Sequence, residues 1–541
     1  MKETFRQSMA WLHTWSGLLT CWVLLLVFVS GSASYFRDEI TLWMQPELHE
    51  IAATHVSTVQ AAQTAVDFLK REAPNAPRWF ITLPNPRTAE TRAGWISSTI
   101  KDGQERRVVK QVSLNPATGE RLANVRTTRG GDFLYRLHYE LHYMPRTLAR
   151  WIVAFCAMFM LVAIISGIIT HKRIFKDFFT FRPRKGQRSW MDAHNVVAVL
   201  ALPYHLMITY TGLVTLMFIV MPSPIQLAYE GNEKAFFAEV FPQPKISKLE
   251  HQSAALLPIA PLITKAQAHW HGGQAGRVFI DHPGDAMASI NVIRSLEKGI
   301  SSVRQSVQFN GATGALIATI GDDPSTAAAS RGVLFGLHVA NFANPLLRVL
   351  FFLSGLAGCI MVATGALLWA VKERQRCKKT LAQGRLHFGL RLVDGLNIGA
   401  IAGLPIALGA YFWSNRLLPV VLENRAVMEI NSFFLAWGAA ALLAQIRPNR
   451  RMWQWQLSAG GVLFTLLPAL NAITTHSHLG VTLLQGKGPW PVAGFDLFSL
   501  GLGLALVYAA KKLGSVRKPI QLPLPQKRHN REDRAVAQEP S

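Results

Sequence analysis

The chain has 541 residues, half of them hydrophobic, with 56 basic against 32 acidic residues, a formal net charge of +24 and four cysteines. Recurring apolar runs of about 20 residues exclude a soluble globular protein and indicate a polytopic α-helical membrane protein. The basic residues gather in short segments beside those runs, as membrane orientation requires, so nucleic acid is excluded as the partner, and Cys21, Cys156, Cys359 and Cys377 build no disulfide framework and no zinc, iron-sulfur or covalent haem motif.

Residues 1–36 place Lys2 and Arg6 ahead of an apolar core long enough to span, and are read as an uncleaved anchor with helix 1 over about Trp11 to Phe36. Residues 37–147 then form a first outer domain. It has an amphipathic helix near Val56 to Arg71, strands over Trp79 to Leu83 and Val108 to Leu114, and a turn at Asn115-Pro116-Ala117-Thr118-Gly119. The block 148–221 holds helix 2 (about Leu148 to Thr170), helix 3 (about His194 to Met221) and a connecting loop. That loop carries Lys172, Arg173, Lys176, Arg182, Arg184, Lys185 and Arg188 and is therefore placed in the cytoplasm. A second outer domain, 222–344, closes with a strand near Val303 to Phe309 that enters Asn310-Gly311-Ala312-Thr313-Gly314, an echo of the first turn. Helix 4 (345–371) meets a basic loop (372–394). Helices 5 to 8 occupy 395–510, at about 395–414, 427–446, 453–474 and 491–510, and a basic tail (511–541), rich in charge and proline, is expected to be disordered. Both termini are cytoplasmic in this reading.

The chain repeats itself. His13 stands 17 residues before Ser30 and 18 before Gly31, as His194 does before Thr211 and Gly212. Arg150 precedes Gly167 by 17, as Arg348 precedes Gly365, and a Leu-His pair (Leu137-His138, Leu337-His338) lies upstream of each arginine. As helix, such a span covers about 27 Å, close to the hydrocarbon thickness of a bilayer. A duplicated helix, domain, helix unit with histidines at both membrane faces follows.

The segments L-H-T-W-S-G-L at 12–18, L-N-P-A-T-G-E at 114–120, D-A-H-N at 192–195 and L-H at 337–338 resemble the PepSY-associated transmembrane family, whose members include iron-regulated inner-membrane proteins and ferrisiderophore reductases. The resemblance covers about residues 8–376. It implies PepSY-like α+β periplasmic domains in a bacterial inner-membrane protein, with b-type haem passing electrons to ferric iron in a periplasmic chelate, a siderophore. Helices 5 to 8 lie outside it. The fold expected from the apolar runs and charge clusters is about eight transmembrane helices with two such domains, the histidine pairs below giving two haems. The haem role is carried to His13, His138, His194 and His338. Gly311 replaces the proline found at 116, so contacts to a chelate are not transferred to the second domain.

Neutral imidazole is a good ligand for haem iron, and a histidine in a span is costly without a partner. By depth, His13 pairs with His194 at the cytoplasmic face and His138 with His338 at the outer face. Arg150 and Arg348, at the outer mouth, are candidates for haem propionates, and Gly17, Gly31, Gly167, Gly212 and Gly365 for close approach of a porphyrin or a neighbouring backbone. An isolated interfacial histidine is a headgroup anchor, a glycine a helix-packing residue and an arginine an interfacial anchor; it is the repetition that favours the haem reading. His142, four residues after His138, competes as a ligand from the same helical face, and His205, 11 after His194, as a mid-membrane ligand or proton relay. His171, His269, His271, His476 and His478 rank lower.

No P-loop and no dinucleotide fingerprint occurs, so electrons come from a separate donor, a quinol or a cytoplasmic flavoprotein. Two other classes stand beside electron transfer: a transporter using helices 5 to 8, with breaks at Gly403-Leu404-Pro405 and Leu467-Pro468 and Asp496 as the one evident intramembrane charge, and an anchored binding or regulatory module.

Overall fold

The computed structural model describes residues 4–51, 56–101, 104–171, 182, 187–244, 250–297, 299–377 and 388–515. The expected tail from 516, and most of the two basic loops, lie outside the described residues. Eight segments are long and apolar enough to cross a membrane. They are α1 (Phe5–Ser34), α5 (Arg146–Thr170), α7 (Leu202–Val220), which α6 (Gln187–Leu200) precedes, and α12 (Pro345–Arg376). The remaining four are the pair α13 (Phe388–Ile401) and α14 (Gly403–Leu417), α15 (Arg425–Ile446), the pair α16 (Arg450–Thr465) and α17 (Leu467–Thr474), and α19 (Trp490–Ser515). Helix α18 (Leu479–Gln485) lies in the connection before α19.

Two spans are broken, and α6 is broken from α7, each time shortly before a proline: Ala402 before Pro405, Leu466 before Pro468 and Ala201 before Pro203. Proline has no N–H to donate and its ring presses on the carbonyl four residues back, so the ladder opens there. The helix read from sequence over about His194 to Met221 is therefore two, α6 and α7, of which α7 is the span, and His194 lies inside α6.

The lobe outside the spans departs from the sequence reading of two separate domains. Helix α3 (Thr58–Glu72) with β1 (Arg78–Thr82), β2 (Thr91–Lys101) and β3 (Gln104–Leu114) forms one half. Helix α10 (Ile259–His269) with β4 (Ala275–Asp281), β5 (Ser289–Arg294), β6 (Ser306–Asn310) and β7 (Leu316–Ile320) forms the other. The halves join into a single seven-stranded sheet of order β3-β2-β1-β4-β5-β6-β7, with β1 and β4 antiparallel at the seam. Left apart, β1 and β4 would each expose an edge with unpaired amides; pairing removes both edges. Alternate residues Trp79 and Ile81 on β1, and Val278 and Ile280 on β4, point to one face. There they meet Ala65 and Leu69 of α3 and Leu262 and Ala266 of α10 in one continuous core. Arg78 and Asp281 form an ion pair across the seam.

The two repeated turns are built alike. Gly119 (φ +72°) and Gly314 (φ +73°) take the left-handed conformation, and Asn115 and Asn310 each accept the amide two residues on at 2.9 Å. The departure at Gly311 has a cause: its N–H donates to the Ala288 carbonyl at 2.6 Å, a bond proline cannot make.

Helices α2 (Arg37–Met44) and α4 (Gly130–Glu140) dock the first half of the lobe onto the bundle; α8 (Ser223–Ala228), α9 (Glu233–Val240) and α11 (Thr326–Val339) lie on the second-half side. Trp43, Met44, Leu48, Phe133 and Leu137 pack with Tyr411, Phe433 and Phe464 in a core shared by lobe and spans. His49, at its edge, is buried, donates from Nε2 to the Leu42 carbonyl at 2.9 Å, and is held neutral. Burial pushes it down to about 4 against the pull of that bond, with Arg416 and Arg126 pushing the same way. The unfolded chain protonates this imidazole near pH 6.5, so its contribution is complete above that value and lost as pH falls from about 6.5 to about 4, a loss of about 3 kcal/mol. Thermal midpoints of the detergent-solubilised protein should fall over that window, and His49→Asn, which keeps a donor but does not titrate, should flatten the profile. An unchanged slope in that variant would assign the acid lability elsewhere.

Candidate functional site

Four histidines occupy four copies of one local arrangement. The Nδ1–H of His13 donates to the carbonyl of Ala163 (2.8 Å), that of His138 to Val27 (2.8 Å) and that of His194 to Met361 (2.9 Å). His338 bonds the carbonyl of Ile208 and lies 3.1 Å from Thr211 Oγ1. In each case the accepting carbonyl belongs to another helix and stands four residues before a glycine: Gly167, Gly31, Gly365 and Gly212 respectively. The imidazole edge fills the space that a Cβ would need. An added Cβ would meet His138 at 2.7 Å from Gly31, His338 at 3.1 Å from Gly212, His13 at 3.2 Å from Gly167 and His194 at 3.4 Å from Gly365. The residue before each glycine is Ser or Thr, and its hydroxyl turns back onto its own helix, as Ser166 does to Val162 (2.6 Å) and Thr211 to Met207 (2.7 Å). Having donated along their own helices, the hydroxyls of Thr211 and Thr364 also accept from the seated rings, 3.1 Å from His338 Nδ1 and 3.2 Å from His194 Nδ1.

A carbonyl can only accept, so Nδ1 carries the proton and Nε2 is left with its lone pair. This is the tautomer that ligates metal, with the second ring nitrogen fixed by a backbone bond. The Nε2-bearing rings meet in pairs: His13 with His194, ring centres 6.4 Å apart, and His138 with His338, 6.0 Å apart. Two imidazoles on opposite sides of one metal, each bonded at about 2.0 Å, place their ring centres roughly 6 Å apart. The pairing expected from depth is the pairing found.

Among the described residues no cluster of three or more His, Cys, Asp or Glu side chains is placed to hold a metal. Two imidazoles alone leave most of a metal's coordination positions open, so a fitting group must bring its own in-plane ligands. Haem does, and the residues present fit it. Beside His13 and His194 opens a cavity of about 450 Å³, lined also by Gly17, Met160, His205 and Met361, with His171, Gln187 and Lys372 among its other wall residues. That size lies within the range for small-molecule and cofactor sites.

Arg150 pairs with Glu140 at 2.7 Å and lies over the Tyr139 ring; Arg348 pairs with Glu39 and lies over Phe36. Burial would raise the Glu39 carboxyl, but the hydrogen bonds and charge of Arg87, with the charge of Arg348, hold it below the usual carboxylate range. Protein carboxylates, which the sequence reading did not assign, thus take one edge of each guanidinium. Both arginines keep a buried Nε with no partner. A propionate fits such a donor.

His142 does not share a face with His138. Helix α4 stops at Glu140, residues 141–143 all take positive φ, and the His142 ring stacks on Phe434 (5.4 Å, 10°). The i, i+4 rule fails because the helix does not continue. His205 is buried in the cavity wall with Nε2 3.3 Å from the Ser354 carbonyl and Nδ1 unpartnered, and the rings in contact with it are those of Phe28 and Tyr204. It suits a hydrogen-bonding role better than an axial one. His269 bonds Asp322 at 2.8 Å. Sequence reasoning missed Arg416, Arg425 and Glu429, which like Asp496 are buried in the added spans.

A family model described as the PepSY-associated TM region matches residues 10–372. An uncharacterized protein of Pseudomonas aeruginosa is 24% identical over 397 residues, which is 70% of this chain and 93% of that protein.

Proposed function

Because the chain belongs to the PepSY-associated transmembrane family, we propose that it is a haem b electron-transfer protein that reduces ferric iron held in a chelate, a siderophore, on the lobe side of a bacterial inner membrane. The observation that carries the reading is the pair of facing imidazole couples, each with Nε2 unprotonated, at two depths of one bundle. His13 and His194 would hold one haem, His138 and His338 the other. Haem, when bound, supplies reversible one-electron chemistry at potentials set by its ligands.

The chain's own residues do the rest. Backbone carbonyls fix each imidazole's tautomer and plane, glycines let the rings seat against neighbouring helices, and half-buried Arg150 and Arg348 offer their buried Nε donors to carboxylates. Along α1, His13 and the carbonyl of Val27 that holds His138 are 14 residues apart, about 21 Å of helix. Two stations at that spacing divide a crossing of about 30 Å. A quinol or a cytoplasmic flavoprotein would give up electrons on the far side, and ferric iron would take one on the lobe side. Chelate oxygens favour hard ferric iron, so reduction loosens the complex.

Orientation rests on charge. Lys372, Arg374 and Arg376 end α12, Arg450 and Arg451 open α16, and Lys511 and Lys512 lie in the last turns of α19, all at bundle ends away from the lobe. By the positive-inside rule that side would face the cytoplasm, with both termini there.

The test is the visible spectrum of the purified full-length protein, followed by reduction in vesicles. A Soret band that shifts on reduction is expected, together with trapping of ferrous iron by an external dye when the donor is enclosed. Folded protein that stays colourless after expression with added haem precursor would overturn the reading.

A further inference from the structure

We infer that the added spans α13 to α19, which lie beyond the family-matched residues 10–372, are a buttress that positions His138 and so tune the lobe-side centre alone; the haem part of this inference rests on the function proposed above. The observation is a buried polar network that ends on the first turn of α4. Arg425 and Glu429 are both fully buried and ion-paired. Arg425 also donates to the Thr127 carbonyl at 3.1 Å, and Glu429 accepts from Thr128 Oγ1 and from Asn415 Nδ2, the latter at 2.8 Å. Thr128 Oγ1 in turn accepts from the Gly130 amide at 2.9 Å, and Tyr411 donates to the Gly130 carbonyl at 2.9 Å. The opening of α4 is held from both its donor and its acceptor side.

One turn on, Phe133 packs among Tyr411 (4.9 Å), Phe433 (5.3 Å) and Phe434 (6.2 Å), and Leu134 and Leu137 enter the same core. His138 follows directly. A second limb fastens α2, whose Arg37 backbone lies against Gly131: Trp43 donates to Asp496 at 2.8 Å, and Arg416 bonds the Trp43 carbonyl and Asn471 while lying 4.2 Å over the indole.

The partner helix α11 is held differently. Its first turn is capped by its own Ser325, Arg331 lies over Phe218, Phe241 and Phe335, and Gly336 presses on the Ile300 carbonyl. Those neighbours all belong to the family-matched region. The duplication is thus broken on one side only, at the helix that carries His138.

Charge argues for a clamp rather than a path for ions. Arg126 pairs with Glu47 and Arg425 with Glu429, while Arg416 and Asp496 share Asn471, so three charges of each sign lie in two neighbouring bonded limbs. A buried balanced network of this kind adds little net stability, but losing one member strands its partners. Its best-attested use is to fix a single arrangement. An axial histidine's orientation and hydrogen bonding set the potential of the centre it serves.

Glu429→Gln and Tyr411→Phe in the full-length protein test this, the second removing one hydroxyl at constant volume. Amide exchange over 130–140 should accelerate about tenfold or more in Glu429→Gln, the effect of losing one charged hydrogen bond, and several-fold in Tyr411→Phe, while 326–339 keeps its rate. In haem-loaded protein, the low-spin resonance and potential that vanish in His138→Ala should shift, and those that vanish in His13→Ala should not. Unchanged exchange over 130–140 in both variants, or equal acceleration over 326–339, overturns the buttress. If Glu429→Gln does not fold, Tyr411→Phe carries the comparison. Wild-type protein without haem would sink the electron-transfer proposal and leave the exchange result still decisive here.

Discussion

Alanine at His13 or at His194 is expected to remove one haem of two, leaving about half the pigment per protein, and the double variant His13→Ala/His194→Ala should lose no more than either single one. The reason lies in the two-imidazole geometry: with ring centres 6.0 or 6.4 Å apart, each couple would give its metal two protein bonds, and among the described residues no third His, Cys, Asp or Glu side chain is placed to replace either. Alanine at His138 or His338 should remove the other half, and a double variant drawn from both couples, His13→Ala/His138→Ala, should be colourless. His142→Ala should keep both haems, because its ring stacks on Phe434 outside the couple. His205→Ala should also keep both while altering the spectrum of the centre whose cavity it lines. Haem per protein after extraction decides the matter. Additive losses within one couple, or a loss in His205→Ala as large as in His13→Ala, would mean that the imidazoles do not work in these pairs.

The spans and the couples were readable from the chain because both depend on local regularities. Length and apolar character set a span, and the repeat His13 to Gly31, His194 to Gly212 carries depth directly in residue counts. What could not be read depends on partners far along the chain. Alternation identifies β1 and β4 as strands, yet nothing in either names the other as its neighbour across 203 positions from Arg78 to Asp281. Arg425 and Glu429 at the head of a span look like an interfacial i, i+4 pair; in the fold Thr127 and Thr128 from the lobe and Asn415 from the preceding span cover them. His142 is a different case. Leu141, His142 and Tyr143 are unusual residues for three successive left-handed positions, but Pro145 was a usable sign, since a helix tends to end before a proline. The Ser/Thr-Gly pairs at 30–31, 166–167, 211–212 and 364–365 were all present too. Their shared use as histidine seats needed coordinates, because the seated ring always comes from another helix.

Those seats yield a graded result. Alanine at Gly31 places its Cβ 2.7 Å from both Cε1 and Nδ1 of His138, closer than real contacts allow, so the ring must tilt and carry Nε2 off its line to the metal. Overpacking of this kind costs about 1–3 kcal/mol, or roughly five- to 150-fold in haem retention at the lobe-side couple. Gly212→Ala and Gly167→Ala, with clearances of 3.1 and 3.2 Å, need only a small shift and should weaken retention slightly, and Gly365→Ala at 3.4 Å should be close to neutral. Rates of haem transfer to an apo-acceptor protein measure the series, and a fastest loss from Gly365→Ala would contradict the seating geometry. Gly17 supplies the complementary case. It seats no ring, and nothing lies within 4 Å of an added Cβ, yet it lines the cavity beside His13 and His194. Alanine there should be silent, whereas Gly17→Trp should fill the cavity and displace the far-side haem while the His138 and His338 centre keeps its spectrum. A tryptophan variant that retained both haems would show that the macrocycle does not enter this cavity, even if the imidazole pairing held.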